Sequence, residues 1–485
     1  MNLLEPKTLA ALIAATAPDA ATTPAGGHTP VVPFEEWTAG RGVAFNSALV
    51  RPGDVFFALP GASGHGIDHA HEALARGAAF LVSDRRHPMA LHVADARAAL
   101  HTLGREARRR ITGPVVGITG SAGKTTTKTL VTHALGARST PGNLNTPPAL
   151  VAALVEAALM DEDGTERRTA YNRGALVGPG GAGAPVVLEL GIDRIGEMDE
   201  LVDLVAPDHG VITTIGDAHL SALTDRATVA REKARLLQRA AGSKLVGAAA
   251  AHALPADLQA LTVAVALTGQ TSPPSGMRGV ETGTLGPDRT LTAAGASARL
   301  PWPGVAMAEN ALLALALAVR LGSAPRAALD AIVAAPLEHA RLERLQVGDV
   351  TIIDDSYNSN PLSAALALEV LHGAPAPRVA FLGDMRELGD VSEQRHRELG
   401  AATTGLDMVV AIGPAAAAIR ETNPAALLAT DAGDAGRYLD QVPAGATVLV
   451  KGSRSLMLER LVDALLARLG SGRPGDPAHA EVSSW

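Results

Sequence analysis

The sequence predicts an α/β protein in three parts, with a phosphate-cradling loop in the central part. Three observations carry that expectation. At 485 residues the chain is too long for one compact core, and a chain of that length usually divides into about three domains. Its composition, 47% hydrophobic but only 2% aromatic, reads as alanine-rich helices around sheets in a soluble protein. The last third alternates short apolar runs with helical stretches, which means parallel strands joined by crossover helices.

The composition also excludes functions. There are no cysteines, so disulfides, zinc–thiolate sites and cysteine nucleophiles are ruled out. A net charge of −8 argues against a nucleic-acid surface. The basic run Arg105, Arg108, Arg109 and Arg110 is expected to be the solvated end of a helix. Residues 1–20 are apolar enough to resemble a signal peptide. They lack a basic start and carry Glu5 and Pro6, and Leu4, Leu9, Leu12 and Ile13 suit an amphipathic helix instead. The most apolar helix, residues 311–319, is about half a bilayer span and is flanked by Glu309 and Arg320. A cytoplasmic, monomeric protein without membrane insertion is the expectation.

Taken in order, residues 1–93 form a first unit. Arg51-Pro52-Gly53-Asp54 is a turn, residues 55–59 a buried strand, and residues 68–77 a helix running into strand 79–82. A helix over 94–110 opens the central unit, residues 94–334. Within it, residues 161–185 are rich in Gly, Pro and charge and read as a surface insertion before a strand at 186–190. Residues 268–289 are turn-rich and should connect strands at the rim. The third unit, residues 335–469, has strands at 351–353, 378–382, 408–412 and 447–450. Residues 470–485 are expected to be a disordered tail.

The central loop is Gly117-Ile118-Thr119-Gly120-Ser121-Ala122-Gly123-Lys124-Thr125-Thr126-Thr127. An apolar run precedes it and helix-compatible residues follow, the strand–loop–helix geometry that binds polyphosphate. Gly120 and Gly123 let backbone amides approach phosphate oxygens. Lys124 supplies a point charge, and the Thr125 hydroxyl can ligate Mg²⁺. The segment from Thr119 to Thr126 is therefore a nucleoside-triphosphate site.

Binding is not yet a reaction. Val187-Leu188-Glu189-Leu190-Gly191 puts a carboxylate at the C-terminal end of a buried strand, where α/β sheets place ligands. Glu189 is then available to a magnesium shared with Thr125. Residues 211–220 repeat the pattern and deliver His219, which on its own reads as structural. Lys233 follows in a helical stretch, residues 229–238, where the plain reading is an exposed helix lysine.

TGSAGKTTT, ELG followed by GEM, DAHL and the helix lysine stand in the order and approximate spacing of the Mur ligases, which the chain resembles from about residue 40 to 465. These are ATP-dependent amino-acid-adding enzymes of peptidoglycan synthesis. The resemblance implies their three-domain architecture: an N-terminal UDP-substrate domain, a central P-loop ATPase domain and a C-terminal Rossmann-like domain. Three motifs look like those of members that add D-alanyl-D-alanine. They are Asp354-Asp355-Ser356-Tyr357-Asn358-Ser359-Asn360-Pro361, Gly383-Asp384-Met385-Arg386-Glu387-Leu388-Gly389 and Lys451-Gly452-Ser453-Arg454. Pro141-Gly142-Asn143-Leu144-Asn145 matches the loop that the family places near the γ-phosphate.

By that resemblance the cofactors are ATP and two Mg²⁺. Lys124, Glu189, His219 and Lys233 are the implied catalytic residues, with Lys233 carbamylated by CO₂. Thr125 and Glu189 would hold one magnesium, and His219 with carbamylated Lys233 the other. Asn145, Asn310, Arg341 and Asp355 match nucleotide contacts, while Ser47, Asn358, Lys451 and Arg454 match substrate contacts. The implied substrates are UDP-N-acetylmuramoyl-tripeptide and D-alanyl-D-alanine. The chain departs from the family in places: Asn46-Ser47-Ala48 replaces Asp-Ser-Arg, Asp193 stands near a usual asparagine, and Ala306-Met307 replaces a His-Asn pair. Two alternatives remain open at this stage. One is a related ligase adding a single amino acid, or glutamate to folate; the other is a nucleotide-dependent scaffold without chemistry. His65, His69 and His71 have loose metal-like spacing but read as a solvated loop. Leu312, Leu315 and Val319 read as a core stripe.

Overall fold

The protein is described by a computed structural model covering residues 3–16, 23–24, 40–61, 64–163 and 176–468. Among the described residues, three sheets organise the chain. The first runs Thr23–Pro24, Ala90–His92, Phe80–Ser83, Asp54–Ala58, Gly42–Ala44, parallel except for its two-residue edge strand. Every residue of Asp54–Ala58 is buried because both faces are covered. Phe57 packs in the cluster that contains Leu9 and Leu100, and Phe56 in the one with Ala70 and Ala73. The amphipathic helix expected near the N-terminus is Pro6–Thr16, with Leu9 and Ile13 buried.

The helix expected over 68–77 is instead a 3₁₀ turn, Gly66–His69, followed by Ala70–Ala75. His65 caps the turn: its Nδ1 accepts from the Ile67 amide at 3.1 Å, and its Nε2 lies 2.7 Å from Asp84 Oδ1. The solvated-loop reading therefore fails for buried His65 and holds for exposed His69 and His71.

The central sheet runs Ala296–Arg299, Thr290–Ala293, Gly279–Leu285, Val263–Leu267, Lys244–Gly247, His209–Ile212, Val115–Thr119, Val186–Glu189, Arg138–Ser139. Its first three strands form an antiparallel meander, and from Gly279–Leu285 onward every pair is parallel. Gly279–Leu285 corrects the expectation of turns over 268–289. Its glycines and polar residues lie on a half-exposed strand, so no apolar run marked it. Val115–Thr119 lies between Val186–Glu189 and His209–Ile212, so the C-terminal ends of all three converge. Leu312 and Leu315 do face the core, from helix Val305–Arg320.

Two surface expectations are corrected here. Arg108 is not simply solvated: its Nη2 pairs with Asp208 Oδ2 at 2.8 Å and its Nε donates to Val205 O at 2.9 Å. The insertion expected at 161–185 has residues 164–175 outside the described residues, and its first residue is interior. Asp161 ends its buried reach 2.9 Å from Arg138 Nη1, with side chains 1% and 2% exposed. Asp161 also accepts from the Gly183 and Thr112 amides. Removing one partner strands a buried charge, so Asp161→Ala should cost about 3–5 kcal/mol. Guanidinium denaturation would measure it, and a loss below about 1 kcal/mol would show that the pair is not a staple.

The third sheet runs Glu343–Val347, Val350–Asp355, Thr447–Lys451, Arg378–Gly383, Met408–Ile412, Leu427–Ala429. Only its first pair is antiparallel. The four expected strands are present. The two additions are edge strands, one alternating half-buried and exposed residues before a buried Val347 and the other three residues long. The expected tail at 470–485 lies outside the described residues. No helix among the described residues is long and apolar enough to cross a membrane.

Candidate active site

The strand Val115–Thr119 turns through the glycine loop into helix Lys124–Ala134. Glycine is required at two positions. A Cβ on Gly120 would sit 1.9 Å from Thr213 Oγ1, and Gly123 has φ +79° with Asn310 Oδ1 2.7 Å from where its Cβ would be. The loop is pinned by its neighbour: the Ser121 amide donates to Thr214 O at 2.9 Å, and the Ala122 amide to Thr214 Oγ1 at 2.8 Å. Lys124 Nζ donates to Gly120 O at 2.8 Å, folding back over the loop.

Adjacent parallel strands bring Glu189 to this loop. Thr125 Oγ1 donates to Glu189 Oε2 at 2.7 Å and Asn145 Nδ2 donates to Oε1 at 3.0 Å. Burial would raise the Glu189 pKa, but Lys124, Lys128 and Arg341 outweigh it and hold the carboxyl below its usual range. Burial pushes the Lys124 ammonium down, against the pull of Glu189. A hydroxyl and an ionised carboxylate in direct contact are hard oxygen donors, a set that fits Mg²⁺.

A cleft of about 500 Å³ lies over the loop. Residues 121–126, Asn145, Glu189, His219 and Asn310 line it from the central unit, and Arg341, Asp355, Asn358 and Lys451 from the C-terminal one. Asp355 Oδ2 is 2.6 Å from Lys451 Nζ, which also donates to Asn358 O at 2.9 Å. The Arg341 guanidinium lies 4.3 Å from the Tyr357 ring centroid, with that of Arg454 at 5.6 Å. Thr119 and Gly120 shape the loop without lining the cleft, and Lys233, Arg454 and Ser47 are also absent from its lining. Ser47 sits in the first unit, its Oγ donating to Glu72 at 2.7 Å.

His219 is placed differently from its expected pairing. It adopts φ +56°, and its Nδ1 is 2.6 Å from Glu387 Oε2 and 3.1 Å from Asp193 Oδ1. The ligand-capable atoms of the three residues all lie within 4.8 Å of one another. Lys233 is buried on helix Arg226–Arg239, which excludes an exposed helix lysine. Burial and then Lys124 push its pKa down to about 7, against Asp193 and Glu189. Asp193 stood out in the sequence only as a departure, and Glu387 only as part of a motif. Their meeting at His219 crosses two domains, so no spacing could reveal it.

Three family models match in chain order: the Mur ligase family catalytic domain over residues 41–111, the Mur ligase middle domain over 118–318, and the Mur ligase glutamate ligase domain over 340–454. A UDP-N-acetylmuramoyl-tripeptide–D-alanyl-D-alanine ligase from Treponema pallidum is 30% identical over 454 residues, 87% of this chain and 92% of its own. One of the same name from Bacillus subtilis is 27% identical over 462 residues, 90% and 95%. Among solved structures, MurF from Acinetobacter baumannii shares 27% identity with a TM-score of 0.70, covering 88% of this chain and 93% of that one. MurF from Thermotoga maritima, in complex with ADP, is 24% identical with a TM-score of 0.69 and covers 88% and 98%, a likeness of fold. Two of the matched segments, 118–318 and 340–454, supply every residue lining the cleft, and the chain belongs to the Mur ligase family.

Proposed function

We propose that this protein is the ATP-dependent ligase that joins D-alanyl-D-alanine to UDP-N-acetylmuramoyl-tripeptide in peptidoglycan precursor synthesis. The observation that carries the reading is the shared cleft, in which the phosphate-binding loop faces Asp355 and Asn358 of the dipeptide-type motif. The relatives' names point to the same substrates.

A carboxylate resists an amine because oxide is a poor leaving group. A carboxylate oxygen of the tripeptide therefore attacks the γ-phosphorus and ADP departs, leaving an acyl phosphate. The amine lone pair then attacks the acyl carbon and phosphate leaves, with the proton passing to solvent. Lys124 draws the outer phosphate toward the carboxylate and spreads the developing charge. Thr125 and Glu189 would hold one magnesium, and His219 with carbamylated Lys233 a second, and magnesium bound there would neutralise phosphate oxygens. Asn145, Asn310, Arg341 and Asp355 seat the nucleotide. Ser47 contributes to the UDP-linked substrate, and Asn358, Lys451 and Arg454 to the peptide end. The attacking amine must be neutral, and with an α-amino pKa near 8 about a tenth is neutral at pH 7. A cytoplasmic monomer is the proposed form, since the cytoplasm supplies ATP and the UDP-linked precursor.

Phosphate release should require UDP-N-acetylmuramoyl-tripeptide and D-Ala-D-Ala together, measured with the purified protein and a panel of amino acids and dipeptides. Equal turnover with free D-alanine or glutamate would make it a different ligase of the same family. No release with any acceptor would favour a scaffold.

A further inference from the structure

Lys128 lies one turn beyond Lys124 on the same helix, yet it does not reach the cleft. Its side chain is 1% exposed, and no carboxylate contacts it among the described residues. A buried ammonium is costly unless it is closely solvated by the protein, and an apolar side chain of equal length would avoid that cost. Its Nζ is held by two backbone carbonyls, Thr140 O at 2.6 Å and Gly142 O. These carbonyls converge because the chain turns at Pro141-Gly142, where Gly142 has φ +57°. The same turn presents the Gly142 amide outward to Glu338 Oε1, at 2.9 Å. Three residues on, Asn145 donates to Glu189 Oε1.

We propose that Lys128 is a positioning residue: by gripping the carbonyls of Thr140 and Gly142 from beneath, it sets the loop whose Asn145 amide aims Glu189 at the nucleotide-bound cation. The inference rests on the proposed reading of Thr125 and Glu189 as cation ligands. Thr125 fixes one oxygen of Glu189 and Asn145 the other, so the carboxylate plane depends on where the loop stands. Glu338 holds the loop from the C-terminal side through a single part-buried amide. Lys128 is its interior anchor. Outer partners of metal ligands typically change metal affinity by about 10–100-fold when removed.

The test is Mn²⁺ binding to the full-length protein with and without ADP, followed by electron paramagnetic resonance of free Mn²⁺. Lys128→Met should weaken ADP-dependent Mn²⁺ binding by about tenfold. ADP affinity measured in EDTA should fall by less than the Mn²⁺ affinity, because Asn145 is only one of four proposed nucleotide contacts. Asn145→Ala should weaken Mn²⁺ binding similarly, and the double variant should be no weaker than the worse single one. Should Lys128→Met not fold, Lys128→Gln keeps a donor for the carbonyls, and its smaller effect must likewise vanish on the Asn145→Ala background. Unchanged Mn²⁺ affinity in the Lys128 variants, or losses that add with Asn145→Ala, overturns the proposal. A wild-type protein with no ADP-dependent Mn²⁺ site would overturn the ligand assignment of Thr125 and Glu189, and this inference with it.

Discussion

Replacing Lys124 with alanine should slow phosphate release by roughly 10²–10³, a loss of about 3–4 kcal/mol of barrier stabilisation. The ammonium folds over the glycine loop at Gly120 O, close to where the outer phosphates of a bound nucleotide belong. Charge develops there as the γ-phosphoryl group moves to the carboxylate, so the side chain counts for more in the transition state than before it. The loss should fall on kcat, with nucleotide affinity reduced less. Near-wild-type turnover from folded Lys124→Ala would show that another group does this work.

Lys233→Ala should be the other severe variant, slower by roughly a hundredfold or more if an anionic ligand to magnesium is lost. Carbamylation requires the neutral amine: its lone pair attacks the carbon of CO₂ and the nitrogen gives up a proton. Burial and Lys124 lower the Lys233 pKa to about 7, so the neutral form prevails above that pH. Reloading of CO₂-stripped protein should therefore quicken between pH 6 and 8, whereas a lysine of ordinary pKa near 10.4 would stay almost fully charged throughout. Short carboxylates such as acetate should partly restore Lys233→Ala by supplying an oxygen ligand. High-resolution density showing an unmodified Lys233 in an active, substrate-bound enzyme would refute the assignment.

What the sequence disclosed and what it withheld follow from the range of the interactions. The loop from Thr119 to Thr126 was legible because strand, glycines, lysine and threonine act through backbone a few residues apart. Glu189 was legible because a buried apolar run ends on it. By contrast, the burial of Lys233 depends on which face of its helix meets the sheet. The contact of His219 with Glu387 depends on two domains meeting. Gly279–Leu285 and Glu343–Val347 were missed or left out because half-exposed strands carry polar residues that mimic loops. Asp161 was mistaken for surface since its partner Arg138 is supplied by a strand edge, which no local pattern announces.

The lysines around Glu189 have a thermodynamic consequence of their own. Lys128 and Lys233 are buried and Lys124 is half-buried, and among the described residues the buried carboxylate of Glu189 acts on all three. Without a polyanion, the Lys124 ammonium and the Arg341 guanidinium repel one another beside Glu189, a cost that a bound anion relieves. Polyphosphate or pyrophosphate should accordingly raise the melting temperature beyond what ionic strength alone gives, in a saturable way. A neutral residue at Lys124 should leave the ligand-free protein harder to melt than the wild type while slowing its turnover by roughly 10²–10³. The fold then gives up resting stability in exchange for readiness to bind, and heat resistance measured without nucleotide would rank variants in the wrong order of fitness.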